Sequence, residues 1–314
     1  MTAVKFHPSG SICLTAGYDK TLRFFKTDLS SRNSPEEARK IHGVVFPDLP
    51  VMAASFTNGG NSVMLSGRRP FIYTYDVVKG VIDKVHRIQN RKEKSWEVFA
   101  TSPGGEMIAL IGKDGYIVLL DGGSYSFLAE FKMSGTARAV TFSYCGNYVL
   151  ASGSDGQVWK WDVRKLGDKR PVYRYKNQDG SIVQSLACSS TFTAVGSESG
   201  VVNIYDNRRE ERDFSKQWSA EREPIKALMN IKTAVDNLSF NHDGQILLMS
   251  SRRSRDCMRL VHMPSATVYR NWPTSKTPLG YAWSTDFSPN SGALAIGNDK
   301  GKCLMYRLSY YKDI

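Results

Sequence analysis

Ala151-Ser152-Gly153-Ser154-Asp155-Gly156-Gln157-Val158-Trp159-Lys160-Trp161-Asp162 is the stretch whose reading decides the fold. It reads as the end of an apolar strand closed by glycine, a tight acidic turn, and a further strand that closes on Trp-Asp. The same order returns along the whole chain. Gly17, Gly67, Gly112, Gly153, Gly196 and Gly297 each close such a strand, with Ser251 in the remaining place. Ahead of them lie the first-turn glycines Gly10, Gly60, Gly105, Gly146, Gly244 and Gly292, about 40–50 residues apart except across one double gap. Ser189-Ser190-Thr191 is the degenerate turn inside that gap, so both landmarks count seven units.

The strand after each acidic turn is rich in β-branched and aromatic residues, as in Phe71-Ile72-Tyr73-Thr74-Tyr75-Asp76, Tyr116-Ile117-Val118-Leu119-Leu120-Asp121 and Val201-Val202-Asn203-Ile204-Tyr205-Asp206. A weaker strand follows it, such as Phe127-Leu128-Ala129-Glu130-Phe131, Val172-Tyr173-Arg174-Tyr175 or Thr267-Val268-Tyr269-Arg270, and its alternation suits an edge with one wet face. Four antiparallel strands at this period predict an all-β chain folded as a seven-bladed β-propeller. One domain over residues 1–314 is expected, with blades starting near residues 1, 50, 95, 136, 181, 233 and 281.

Composition agrees with a globular chain. The 314 residues are 41% hydrophobic and 23% charged, which excludes collagen and disorder. No run approaches the roughly 18 apolar residues of a membrane span, and Met1-Thr2-Ala3-Val4-Lys5-Phe6 lacks the build of a signal peptide. An intracellular protein, or a piece cut from a longer one, is expected. Cys13, Cys145, Cys188, Cys257 and Cys303 are odd in number and scattered, which reads as reduced core thiols.

The pattern resembles the WD-repeat family. Trp161-Asp162 is its literal signature, and Tyr75-Asp76, Leu120-Asp121 and Tyr205-Asp206 are variants of it. Asp19, Asp114, Asp155 and Asp299 occupy the family's acidic turn position, with Glu198 as a substitute. The Gly-His pair that often opens such repeats is absent, and Arg69 and the stretch from Ser251 to Arg255 replace the usual turn chemistry in two units. Four further runs are similar to WD-repeat subunits of the small-subunit processome: Ser199 to Tyr205, Pro224 to Asn230, Arg259 to Ser265, and Asp286 to Pro289 with Gly297 to Lys302 and Met305 to Leu308. That resemblance implies a non-catalytic nucleolar scaffold in pre-ribosomal RNA processing and 18S rRNA maturation. Its implied partners are other propeller and helical-repeat subunits of the processome, with pre-ribosomal RNA and U3 small nucleolar RNA touched directly or indirectly. No membrane, cofactor or small-molecule substrate is implied. Members of that family also carry an extension before the propeller.

Seven blades need twenty-eight strands, and the sequence supplies seven sets of three inner strands with six outer ones. The last blade is therefore expected to lack its outer strand. Ala3-Val4-Lys5-Phe6 already begins the innermost strand of the first blade, so a native N-terminal extension is expected to be absent here. The tail Ser309-Tyr310-Tyr311-Lys312-Asp313-Ile314 could cover part of the open edge.

Lys and Arg number 42 against 30 Asp and Glu, a formal charge of +12 that fits work among nucleic acids. On the face where the acidic turns emerge, Arg68, Arg69, Arg91, Lys92 and Lys94 from blades 2 and 3, with Arg252, Arg253 and Arg255 from blade 6, are the candidate RNA phosphate contacts. Phosphate contact carries no base code, so no sequence-specific RNA site is predicted. On the opposite face, the insertion from Asn207 to Trp218 mixes both charge signs with aromatics, and Arg208, Arg209, Phe214 and Trp218 are candidates for docking a protein partner.

Two other readings are weaker. Trp161-Asp162-Val163-Arg164 fits the Trp-Asp-x-Arg pattern of substrate receptors for cullin-type ubiquitin ligases, although Trp-Asp ends ordinary repeats by construction. Catalysis lacks a motif. Gly297 to Cys303 has glycines too close for a phosphate loop, and His7, His42, His86, His242 and His262 lie in different units. The turn aspartates are expected to cap backbone N–H groups, and no metal or cofactor site is predicted.

Overall fold

Seven sheets form in chain order, antiparallel apart from one added strand, in a computed structural model that describes residues 1–27, 40–88, 91–210, 220–274 and 276–311. Blade 1 is Ala3–Phe6, Ile12–Ala16, Thr21–Lys26 and Lys40–Val45, and blade 2 is Val51–Thr57, Ser62–Gly67, Ile72–Asp76 and Ile82–Val85. Blade 3 is Phe99–Thr101, Met107–Ile111, Tyr116–Asp121 and Phe127–Lys132, and blade 4 is Ala137–Phe142, Tyr148–Gly153, Gln157–Asp162 and Tyr173–Lys176. Blade 5 is Val183–Cys188, Phe192–Ser197, Val202–Asp206 and Lys226–Leu228, and blade 6 is Asn237–Phe240, Ile246–Ser250, Met258–His262 and Thr267–Val268. Blade 7 has three strands among the described residues, Ala282–Phe287, Ala293–Asn298 and Cys303–Arg307. The chain is the seven-bladed propeller expected, short of one outer strand among the described residues.

The core is divided among the junctions between blades. Each junction holds its own apolar cluster because each blade is covered on both faces by its neighbours. Leu14, Phe24, Phe56 and Leu65 join blades 1 and 2, and Phe131, Val149, Trp159 and Trp161 join blades 3 and 4. Val4, Phe6, Cys13, Ala293 and Ala295 close the ring between blades 1 and 7. The widest aromatic stack is Phe131, Trp161 and Trp159, with centroid spacings of 5.4 and 5.9 Å and nearly parallel planes. A Trp at the end of a third strand thus serves packing first.

Gly67 and Gly153, which close second strands, are there for close approach, and a Cβ on Gly67 would strike the carbonyl oxygen of Pro50. A Cβ on Gly153 would strike the carbonyl oxygen of Thr136 in the connector that enters the same blade. The first-turn glycines serve a left-handed backbone instead, as Gly146 does at φ +74°. In blade 7 that conformation falls on Ser291, at φ +58°, and not on Gly292.

Three details depart from the sequence reading. Ala220–Glu221, from the insertion of blade 5, pairs in parallel with Tyr175 and Lys176 and extends blade 4 by a fifth strand. The tail does not run along the open edge of blade 7 as far as it is described. Tyr311 reaches a turn of blade 6, where its hydroxyl donates to Asp243 Oδ2 and accepts from Asn241 Nδ2, both at 2.9 Å. Burial, helped by Asp243, pushes that phenol up to about 12. Of the five free cysteines only Cys13 is buried, and Cys145 is exposed in a polar turn that does not need an apolar residue. No helix among the described residues is long and apolar enough to cross a membrane.

Candidate nucleic-acid and partner interface

Within each blade the strands run alternately up and down. The turn between second and third strands and the connector to the next blade therefore share one face of the disc. In blade 2 that turn is tight: Arg69 N donates to Gly67 O at 2.8 Å, and Trp96 N donates to the same oxygen at 3.0 Å. Trp96, 2% exposed, pins the connector of blade 3 beside the turn. The connector alternates: Arg91 and Glu93 face inward, while Lys92 and Lys94 are exposed.

This alternation corrects one of the eight candidate contacts. The Arg91 side chain is only 11% exposed, lies over the Tyr116 ring, and bonds Glu93 through Nε at 2.8 Å and Glu130 through Nη1 at 2.8 Å. Its charge is neutralised inside the protein, so it is not available to a phosphate. Of the others in this region, Arg68 is 73% exposed with Nε 3.3 Å from Glu97, and Arg69 Nε donates to the carbonyl of Asp48 at 3.1 Å. Lys92 and Lys94 have no ion pair among the described residues.

Blade 6 is different. Arg252 and Arg253 both approach Asp236 Oδ1, at 3.4 and 3.9 Å, and Arg253 also meets Glu198 at 3.5 Å. Arg255 pairs with Asp256 at 3.4 Å. The structure places these arginines on the same face as the lysines, but each beside a carboxylate. Of the eight candidates, those without an ion pair among the described residues are Arg69, Lys92 and Lys94, around blades 2 and 3.

There a depression of about 610 Å³ opens between the connector and blade 4, lined by Lys92, Lys94, Lys113, Arg138 and Gln184. The sequence reading passed over the last three. Lys113 lies in a blade turn beside Asp114, Arg138 opens an inner strand, and Gln184 carries no charge.

The acidic turns are working parts of the blades. Asp155 accepts Trp159 Nε1 at 2.7 Å, Ser134 Oγ at 3.1 Å and the backbone of Gln157 at 3.2 Å. In blade 5 the role expected of Glu198 is taken by Asp179, on the entering connector. Asp179 accepts Asn177 Nδ2 and Ser181 Oγ, both at 2.6 Å, and Ser199 Oγ at 2.8 Å. Burial works against its charge, but the serine donors outweigh it and hold the carboxyl below its ordinary value.

On the opposite face Arg208, in the helical turn Asn207–Glu210, is 72% exposed and pairs with Asp206 at 3.2 Å. Arg209 lies in the same turn, and Phe214 and Trp218 fall outside the described residues. Arg164 grips Asp162 through Nε at 2.9 Å and Nη2 at 2.7 Å, which turns the Trp-Asp-x-Arg pattern into the chemistry of a local turn. Among the described residues no three His, Cys, Asp or Glu side chains are grouped to hold a metal ion.

The description "WD domain, G-beta repeat" matches residues 1–26 and 126–162. The second match runs from the outer strand of blade 3 through the Asp155–Trp159 bond to Trp161-Asp162. These two segments match WD repeats. The chain resembles proteins named U3 small nucleolar RNA-associated protein 18: a homolog from Arabidopsis thaliana is 38% identical over all of this chain and 55% of its own length. The human homolog is 35% identical over all of this chain and 54% of its own length. The Saccharomyces cerevisiae protein is 30% identical over 98% of the chain and 58% of its own length. The chain thus spans little more than half the length of these relatives.

Proposed function

We propose that this chain is a non-catalytic scaffold that acts in ribosomal RNA processing with the U3 small nucleolar ribonucleoprotein. The observation that carries the reading is resemblance along the whole chain to relatives named for association with U3 small nucleolar RNA. In finer detail, the propeller belongs to the small-subunit processome in the nucleolus and serves 18S rRNA maturation. It docks among other propeller and helical-repeat subunits and touches pre-ribosomal RNA. The uncompensated lysines of one face support contact with RNA, because phosphate neutralisation supplies most sequence-independent affinity. Arg69, Lys92 and Lys94 are the phosphate contacts, with Arg68, Arg252, Arg253 and Arg255 in a lesser role because of their carboxylates. The insertion around Arg208 and Arg209 faces a protein partner.

Purification of the tagged chain from nuclei, with quantification of its RNA, tests this reading. Enrichment of U3 and of precursor rRNA is expected. Recovery of a cullin-ligase adaptor without either RNA would replace the scaffold with the ubiquitin-ligase receptor.

A further inference from the structure

We propose that the depression between the blade 3 connector and blade 4 is a groove for the phosphate backbone of single-stranded RNA. The inference rests on the RNA reading above and narrows it to one place. Lys92, Lys94, Lys113 and Arg138 are all exposed around it. Of the two carboxylates in its lining, Glu93 is held by Arg91 through Oε1 while its Oε2 is buried without a hydrogen-bond partner among the described residues, and Glu97 is paired with Arg68. Lys113 has only a loose contact with Asp114, at 3.9 Å with both side chains open to solvent, and such a pair yields readily to a stronger anion.

A second observation is independent of charge. Gln184 Nε2 is buried and has no hydrogen-bond partner among the described residues, while its residue lines the depression. An unpaired buried amide donor is unfavourable, and rotation of the side chain toward the depression would bring it to a ligand oxygen. Arg91 is a positioning residue here. By holding Glu93 inward it turns Lys92 and Lys94 outward.

The chemistry favours a nucleic-acid strand over a peptide. The lining offers two ammonium groups on alternate residues, a third from the neighbouring turn, a guanidinium fork and an amide donor. Alternate residues of an extended segment lie about 7 Å apart, so Lys92 and Lys94 can meet separate phosphates. No aromatic lines the site, and its apolar part is only Val98, Ile111 and Ala137 beside the glycine. A peptide anchor would want a deeper pocket. The absence of a stacking platform also predicts indifference to base identity.

The test is fluorescence anisotropy of the whole chain with a labelled oligouridine over a range of salt. With four groove cations engaged, log Kd should change with log salt with a slope of about 3. The double variant Lys113→Gln/Arg138→Gln should flatten this slope by about 1.4 and weaken binding at least tenfold at low salt. The Arg252→Gln/Arg253→Gln pair should leave both unchanged. Oligoadenosine should bind like oligouridine, and polyglutamate should compete poorly. If the groove pair binds normally while the blade 6 pair loses RNA, the groove is wrong and the RNA reading stands. If the unaltered chain binds no RNA, both fall, and a polyglutamate peptide that still binds through Lys113 and Arg138 would make the groove a peptide site.

Discussion

Arg91 shows how far a residue's chemistry depends on its alternation in the chain. From sequence it is one more cation in Arg91-Lys92-Glu93-Lys94; in the fold it is a strut between Glu93 and Glu130. Arg91→Leu should destabilise the protein by about 3 kcal/mol, because the Glu93 side chain, 6% exposed, would be left buried and unpaired. The check is the denaturant midpoint; a change below about 0.5 kcal/mol would show that Glu93 does not need its partner. The turn and strand-end carboxyls set the acid limit. Asp162 is held below its ordinary value by Arg164, and Asp121 by the backbone N–H and hydroxyl of Ser124, while Asp179 is lowered, against its burial, by its serine donors. Their contribution is complete above the unfolded value of about 4 and disappears as pH falls through the lower folded values. Thermal stability should therefore hold from neutral pH to about 5 and fall below about 4, with Asp179→Asn reducing the steepness of the fall.

At the scale of the element, a blade is a strand set whose two faces are covered and whose outer edge is not. In blade 7 the outermost strand, Cys303–Arg307, has a neighbour on one side only among the described residues. In blade 4 the equivalent strand, Gln157–Asp162, pairs on both sides. Outward amides of Cys303–Arg307 should exchange with solvent at least tenfold faster than those of Gln157–Asp162 by hydrogen-exchange mass spectrometry. Equal protection would mean that the edge of blade 7 is covered. The strands were legible because period-2 alternation and the Gly-Asp turns recur seven times and correct one another. Contacts between connectors had no such period. Asp179 reaches the turn at Ser199 from the entering connector, and Gln184 matters through a buried amide, so neither leaves a mark at fixed spacing. The basic face was legible as a cluster of charges, but which of them remain unbalanced depends on Glu93, Asp236 and Glu198, which only folding brings alongside.

At the scale of the molecule, the ring closes where its first and last blades meet. Asp286 accepts Lys5 Nζ and the backbone N–H of Phe6, both at 2.8 Å, and the Met1 amino group donates to Asn298 O at 3.0 Å. Asp286→Ala would leave the Phe6 N–H without its charged acceptor. It should lower global stability by about 2 kcal/mol in a single cooperative transition, since every blade relies on its neighbours for its core. A separate early transition would show that blades 1 and 7 do not share one unit. Rigidity of this kind suits a scaffold, which presents fixed loops on two faces and holds partners at a set separation.

Crosslinking of the chain to RNA in living cells, followed by sequencing, bears most directly on the claim that this propeller is a scaffold of ribosomal RNA processing with one basic face on RNA. U3 and precursor rRNA reads should dominate and should fall severalfold with Lys92→Glu/Lys94→Glu, while protein abundance stays constant. Reads no richer in those RNAs than for an unrelated nuclear propeller would contradict the account.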